Sequence, residues 1–195
     1  MAEFIPLSNN LLLKGVDPAN SLIKHGGMNM EKYIKMAKDG KAEHALILSP
    51  DDIVFDRRVI LKCLWGCENQ FDSNRIKCGS RGLSFEDAQA LVRTYQRILL
   101  IHHHDDVKMS RLARKIEQAA FLDGHYFASA MNYCHLCKNC RIDSGKPCHM
   151  PLKIRPCDQS FGIDVYKTVR LKGLPCNPLQ SKTETPNRYA FVMID

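Results

Sequence analysis

The sequence predicts an α+β fold, a ferredoxin-like sandwich with a cysteine-rich cluster-binding loop region. Three observations lead there. Two long stretches, 85–95 and 106–123, carry apolar residues at helical spacing. Short apolar or β-branched runs read as strands lying between helices, the pattern of a mixed sandwich. Seven of the nine cysteines fall into two compact sets that follow apolar runs.

Taken in order, residues 1–27 read as irregular, with Asn9, Asn10, Pro18 and Gly26-Gly27 as breakers. A short helix is expected over 29–37, closed by Asp39-Gly40. Runs 42–48 and 53–55 read as strand, split by the turn Ser49-Pro50-Asp51-Asp52. The stretch 58–64 is apolar and β-branched and leads into Cys63 and Cys67, so the first cysteine set is expected to follow a strand. Ser84 opens a helix with acids in its first turn, and Phe85, Ala88, Leu91, Val92 and Tyr95 form its apolar face. Run 97–102 reads as a buried strand. Asp105 or Asp106 caps a second helix reaching Asp123, with Val107, Leu112, Ile116, Ala119 and Ala120 inward and Gly124 as its stop. Strand 126–133 delivers the chain to Cys134. A short helix over 164–171 and a strand over 189–194 complete the order, which leaves strand neighbours open.

At 195 residues and 45% hydrophobic, the chain is long enough to bury one core. Residues 1–40 are expected to form an N-terminal irregular and helical extension, and 41–195 a single domain. No run of eighteen apolar residues suggests a membrane span. The opening Met-Ala-Glu-Phe-Ile-Pro-Leu lacks the pattern of a secretory leader, so a cytoplasmic location is expected. In a reducing compartment, nine cysteines read as metal ligands rather than a disulfide framework. The net charge of +7 suits an acidic partner protein or compensation for a buried anionic group; nucleic acid is not the expected partner. The sequence contains no dinucleotide fingerprint, P-loop or nucleophile elbow.

The late cysteine set is C-H-L-C-K-N-C-R-I-D-S-G-K-P-C, with thiols at Cys134, Cys137, Cys140 and Cys148. Three thiols at that pitch wrap a tight loop around one face of a cubane, as in bacterial ferredoxin runs, and the fourth arrives from further along. A structural zinc site is more often built from two separated knuckles. The leading expectation is a 4Fe-4S cluster, with zinc as the alternative and disulfides or free thiols behind both. The early set, Cys63, Cys67 and Cys78, has three thiols and no local fourth. It suits a metal site with one open position, a site closed by Cys157, Cys176 or a histidine, or an inert group of packed cysteines. Cys157 and Cys176 taken singly read as core thiols. Trp65, beside the early set, reads as core. His102-His103-His104 cannot all face one metal on a strand, because successive side chains alternate sides. His135 and His149, inside the late run, read as loop residues that can donate to sulfur.

The residues K-C-L-W-G-C at 62–67, Cys78, G-H-Y-F-A-S-A from Gly124, the late thiols, R-P at 155–156 and F-G-I-D-V-Y-K-T-V from Phe161 together resemble a known family. It is the uncharacterised predicted metal-binding protein family (domain of unknown function 2284), found largely in anaerobic bacteria and methanogenic archaea. The resemblance spans roughly residues 43–195. It implies metal or cluster binding through Cys63, Cys67, Cys78, Cys134, Cys137, Cys140 and Cys148, and no particular reaction. Three positions depart from the family pattern: Gly79-Ser80 replaces a proline pair, His149 an arginine and Cys157 a serine. Cys157 is thereby an additional ligand candidate.

The expected function is therefore that of an iron–sulfur protein with one or two 4Fe-4S clusters, serving electron transfer or cluster and cofactor assembly with an acidic redox or assembly partner. The alternatives are an enzyme of sulfur or small-molecule chemistry at an open cluster iron, and a zinc-stapled module binding protein or RNA.

Overall fold

The computed structural model describes residues 30–67, 82–181 and 183–195. Cys78, Gly79, Ser80 and the irregular stretch expected over 1–27 lie outside the described residues. The fold is α+β. A four-stranded sheet in the order β1-β2-β4-β3 is antiparallel at every pairing. Its strands are β1 (His44–Leu48), β2 (Ile98–His103), β3 (Ser129–Met131) and β4 (Arg188–Met193). The helices are α1 (Glu31–Asp39), α2 (Val59–Gly66), α3 (Phe85–Arg93), α4 (Asp106–Leu122) and α5 (Val165–Leu171).

The two central strands are buried on both faces, which explains why 97–102 reads as an unbroken apolar run. Leu99 and Ile101 of β2, with Ala190 and Val192 of β4, face α1 and α4. Ile98, Leu100, Phe191 and Met193 face the other way, onto a core shared with α3, α5, Leu174 and Cys176. Alanines at 130 and 190 on the sheet, and at 113 and 120 on α4, keep side-chain volume low where helix and sheet meet. β2 and β3 run the same way, are joined through α4, and have β4 between them. α1 lies on the N-terminal side of residue 41 yet packs into this layer, with Tyr33 and Ala37 buried.

Helix signals in the sequence hold well. Ser84 caps α3 by accepting from the Asp87 N–H, and Asp105 caps α4 by accepting from the Lys108 N–H. Two expectations fail. Residues 53–55 form no strand; Phe55 makes one isolated bridge to Ile163. The run into Cys63 is a helix, α2, rather than a strand. That helix is knit in from its N-terminal side, where the Asp56 N–H donates to the Gly162 carbonyl at 2.9 Å. Gly162 has a φ of +74°, and a β-carbon there would collide with the Phe85 ring. The glycine of the F-G-I-D motif therefore lets α3 close onto the turn that anchors α2.

Candidate metal centre

The late thiols sit on a loop that leaves β3 and is clasped to α4 at both ends. At its entry the buried Asn132 amide donates to Ser110 Oγ at 2.8 Å and to the Tyr133 carbonyl at 2.8 Å. Ser110 Oγ also accepts from the His135 N–H at 3.1 Å, and Arg111 donates to the Leu136 carbonyl at 3.1 Å. At its exit Arg155 grips Glu117 of α4 with two hydrogen bonds, Nε–Oε2 at 2.8 Å and Nη2–Oε1 at 2.7 Å. Glu117 takes two more donors, the Ala130 N–H at 2.9 Å and Arg114. The neck is closed by the Asn132 N–H donating to the Pro156 carbonyl at 3.0 Å. Burial alone would raise the Glu117 pKa. The donors from Arg155, Ala130 and Arg114 outweigh it and hold the carboxyl below its ordinary value.

Inside this clasp, Cys134, Cys137, Cys140 and Cys148 all line one cavity of about 270 Å³, with Ile142 and Ile154 among its apolar walls. The Met150 N–H donates to Cys148 Sγ at 3.4 Å, a contact of the kind that tunes a thiolate-held cluster. Gly145 makes the turn between the third and fourth thiols with a φ of +70°. Four sulfur donors on one half-buried, largely apolar wall fit a thiolate-bound metal group. Among the described residues, no three His, Cys, Asp or Glu side chains stand close enough together to hold a single metal ion.

The early set is divided. Cys63 is buried on α2, and Cys67 lies four residues on, just past the helix end, so both are on one side of it. Cys78 is outside the described residues. Cys67 lines a second cavity of about 560 Å³, together with Tyr133 and His135 on either side of Cys134. His135 also lines the late-thiol cavity. Cys67 of the early set and the first residues of the late loop thus border one cavity. Trp65 is 72% exposed, contrary to the core position expected for it.

Cys157 and Cys176 are both buried, and both line the larger cavity. The Cys157 thiol donates to Asp158 Oδ1 at 3.1 Å. Burial, reinforced by the Asp158 charge, pushes its pKa well up, and burial raises that of Cys176 against the opposing charge of Arg170.

The histidine run splits as strand geometry requires. His102 stacks between His44 and Tyr189, its partners across the sheet. Its Nδ1 faces His44 Nδ1 at 3.0 Å and its Nε2 meets Asn187 Oδ1 at 2.9 Å. His103 Nδ1 accepts from the Asp105 N–H at 2.8 Å, while its buried Nε2 has no hydrogen-bond partner. His104 turns out to the Pro186 carbonyl at 3.0 Å. Burial is the main cause that lowers the pKa of both His102 and His103 below 6.5. The native state therefore binds fewer protons than the unfolded chain. Its stability is complete above pH 6.5 and falls as pH drops toward the lower folded values. Urea midpoints taken across that range check this; a midpoint constant well below pH 6.5 contradicts it.

Ser110, Asn132, Glu117 and Arg155 escape a reading of the sequence for metal ligands. Two signals were present: Glu117 is an acid beside the apolar stripe of α4, and Arg155-Pro156 belongs to the motif block that resembles a family.

A thiol-rich loop clasped to a small α+β sheet defines a cysteine-rich metal-binding protein. The model of one family, the predicted metal-binding proteins of domain of unknown function 2284, matches residues 46–194, and the chain belongs to that family. No curated protein and no solved structure matches it. No helix among the described residues is long and apolar enough to cross a membrane.

Proposed function

We propose that the protein is an iron–sulfur protein whose late site holds a 4Fe-4S cluster through Cys134, Cys137, Cys140 and Cys148. The observation that carries this reading is that all four thiols, at ferredoxin-type spacing, line one cavity. When bound, the cluster supplies reversible one-electron transfer. The chain's own residues place it. Ser110, Asn132, Glu117 and Arg155 fix the two ends of the loop, Ile142 and Ile154 keep water from one side, and the Met150 N–H stabilises charge on Cys148. The role is electron transfer or cluster and cofactor assembly, in the cytoplasm, with a redox or assembly protein as partner. Its sheet follows a ferredoxin-like plan, β2-α4-β3 split by β4, with the α1–β1 pair joined at the chain's start rather than its end.

One observation favours a second reading, an enzyme at an open iron of a site built on Cys63, Cys67 and Cys78. A cavity of about 560 Å³ lies against Cys67, within the size range of small-molecule pockets. One experiment tests both. Protein purified without air is expected to be brown and to contain iron and acid-labile sulfide. Stoichiometric zinc with neither iron nor sulfide rules the cluster out and leaves a zinc-stapled module. An additional cluster signal that shifts when cyanide is added supports the open iron; a single signal indifferent to cyanide leaves the electron carrier.

A further inference from the structure

We propose that the exposed face of the late loop is the docking surface for an acidic protein that exchanges single electrons with the group beneath it. The inference rests on the iron–sulfur reading above and adds to it a place and a partner chemistry.

Lys138, Arg141, Lys146 and Lys153 stand exposed around the loop, and Asp143 is the one acid between residues 134 and 153. None of the four cations makes an ion pair or a side-chain hydrogen bond with a described residue. Elsewhere, many cations of the domain are engaged, as Lys32 with Asp123, Arg97 with Asp195, Lys172 with Asp52 and Arg188 with Asp106, and unpaired ones such as Lys38 on α1, Lys115 on α4 and Lys167 on α5 stand on separate elements rather than gathered on one loop. The contrast matters because an exposed, unpaired cluster of one sign steers a partner of the other sign, while paired charges do so weakly.

The rim also has an apolar contact point. Leu152, between Lys146 and Lys153, is 89% exposed. An exposed leucine within a charged collar suits the small, weak interfaces of electron-transfer encounters, in which charge orients and a little apolar area seats the partner. The four thiols are themselves only partly buried, so a protein resting on the collar comes close to them. Single-stranded RNA is a poorer match, because the stretch 134–153 offers no Phe, Tyr or Trp for a base to stack upon.

The competing account is that the cations only offset the negative charge of a bound cluster. Salt screens exposed charges more than roughly 8–10 Å apart in either role, so the two accounts part on the midpoint potential, which only charge compensation ties to the collar.

The test uses whole protein, purified without air and with its iron and sulfide measured first. Absence of both sinks the iron–sulfur reading, and this inference with it, before any donor is added. With the cluster present, reduced flavodoxin, an acidic one-electron carrier, is mixed with it by stopped flow. The second-order rate constant is expected to fall steeply with added salt, and to fall about tenfold or more at low salt in Lys138→Glu/Lys146→Glu. Lys38→Glu/Lys115→Glu, with the same charge change on α1 and α4, should leave it nearly unchanged, and excess dithionite should bring all forms to the same final extent of reduction. A rate indifferent to the collar variant overturns the proposal, as does an equal loss in the control. A fall explained wholly by a shifted midpoint potential overturns it in favour of charge compensation. If the collar variant loses its iron, the wild type decides: a basic donor accelerated as much as flavodoxin at low salt rejects the acidic-partner surface. Collar-dependent binding of polyuridine or of anionic vesicles, with flavodoxin kinetics unaltered, also rejects it.

Discussion

Cys137→Ser is expected to empty the late site and release the loop around it. In residues 134–156 only Ile142 and Ile154 are buried apolar side chains. Burying two such residues contributes about 3–6 kcal/mol. Ordering a residue's backbone costs about 1–2 kcal/mol, so the loop cannot hold its form on its own core. Its ends are fixed by α4, but its middle relies on what the thiols bind, and metal binding there is folding energy. Cys137 is the middle thiol of the closely spaced three. Its loss should remove the late site's iron and sulfide, open the 134–153 stretch to protease, and leave the melting of the sheet little changed. Cys176→Ser should leave late-site iron in place, since Cys176 lines the other cavity and packs with the core of α5. Full iron content and an uncleaved loop in Cys137→Ser contradict the ligand assignment.

The same loop shows what a sequence discloses. The spacing of Cys134, Cys137, Cys140 and Cys148 is local, and a ligand set within fifteen residues can be seen without knowing the fold. α4 was legible for similar reasons: its 3.6-residue period runs through seventeen residues, with Asp105 as cap. α2 was not. It has only eight residues, begins with the β-branched pair Val59-Ile60, and leaves Leu61, Leu64 and Trp65 exposed while burying Cys63. Neither period nor propensity marks such a segment, and its helical form is decided by the turn it packs against at Gln159–Phe161. The short run 53–55 failed likewise, because a single bridge to a segment more than a hundred residues away is not a strand. The clasp residues depend on pairs far apart in sequence, Ser110 with Asn132 and Glu117 with Arg155. They become visible only once α4 is known to lie beside β3.

That clasp carries the second large expected effect. Arg155→Ala removes two hydrogen bonds and one of the two paired cations from Glu117, a carboxylate whose side chain is only 9% exposed. Breaking one partner out of a buried pair leaves an uncompensated charge and costs about 3–5 kcal/mol. Arg114 stays in place, which puts the expected loss toward the lower end. The effect should not remain local. Glu117 also accepts the Ala130 N–H, so it joins the start of β3 to the end of the metal loop. Loss of Arg155 should therefore lower the urea midpoint of the domain and weaken retention of iron by the late site, although Arg155 touches no thiol. Arg155→Lys keeps the charge but not the two-pronged grip, and should lie between wild type and alanine. Glu117→Gln removes the charge that needs compensation, so combining it with Arg155→Ala should cost clearly less than the sum of the two alone. The pH dependence has a definite sign. Because the folded carboxyl titrates below its ordinary value of 4.5, its contribution is complete above that value and is lost as pH falls through the lower folded one. In Arg155→Ala that acid-side loss should shrink. Strictly additive effects of the two substitutions, or an Arg155→Ala protein as stable and as iron-rich as wild type, would show that the loop is held by its thiols alone.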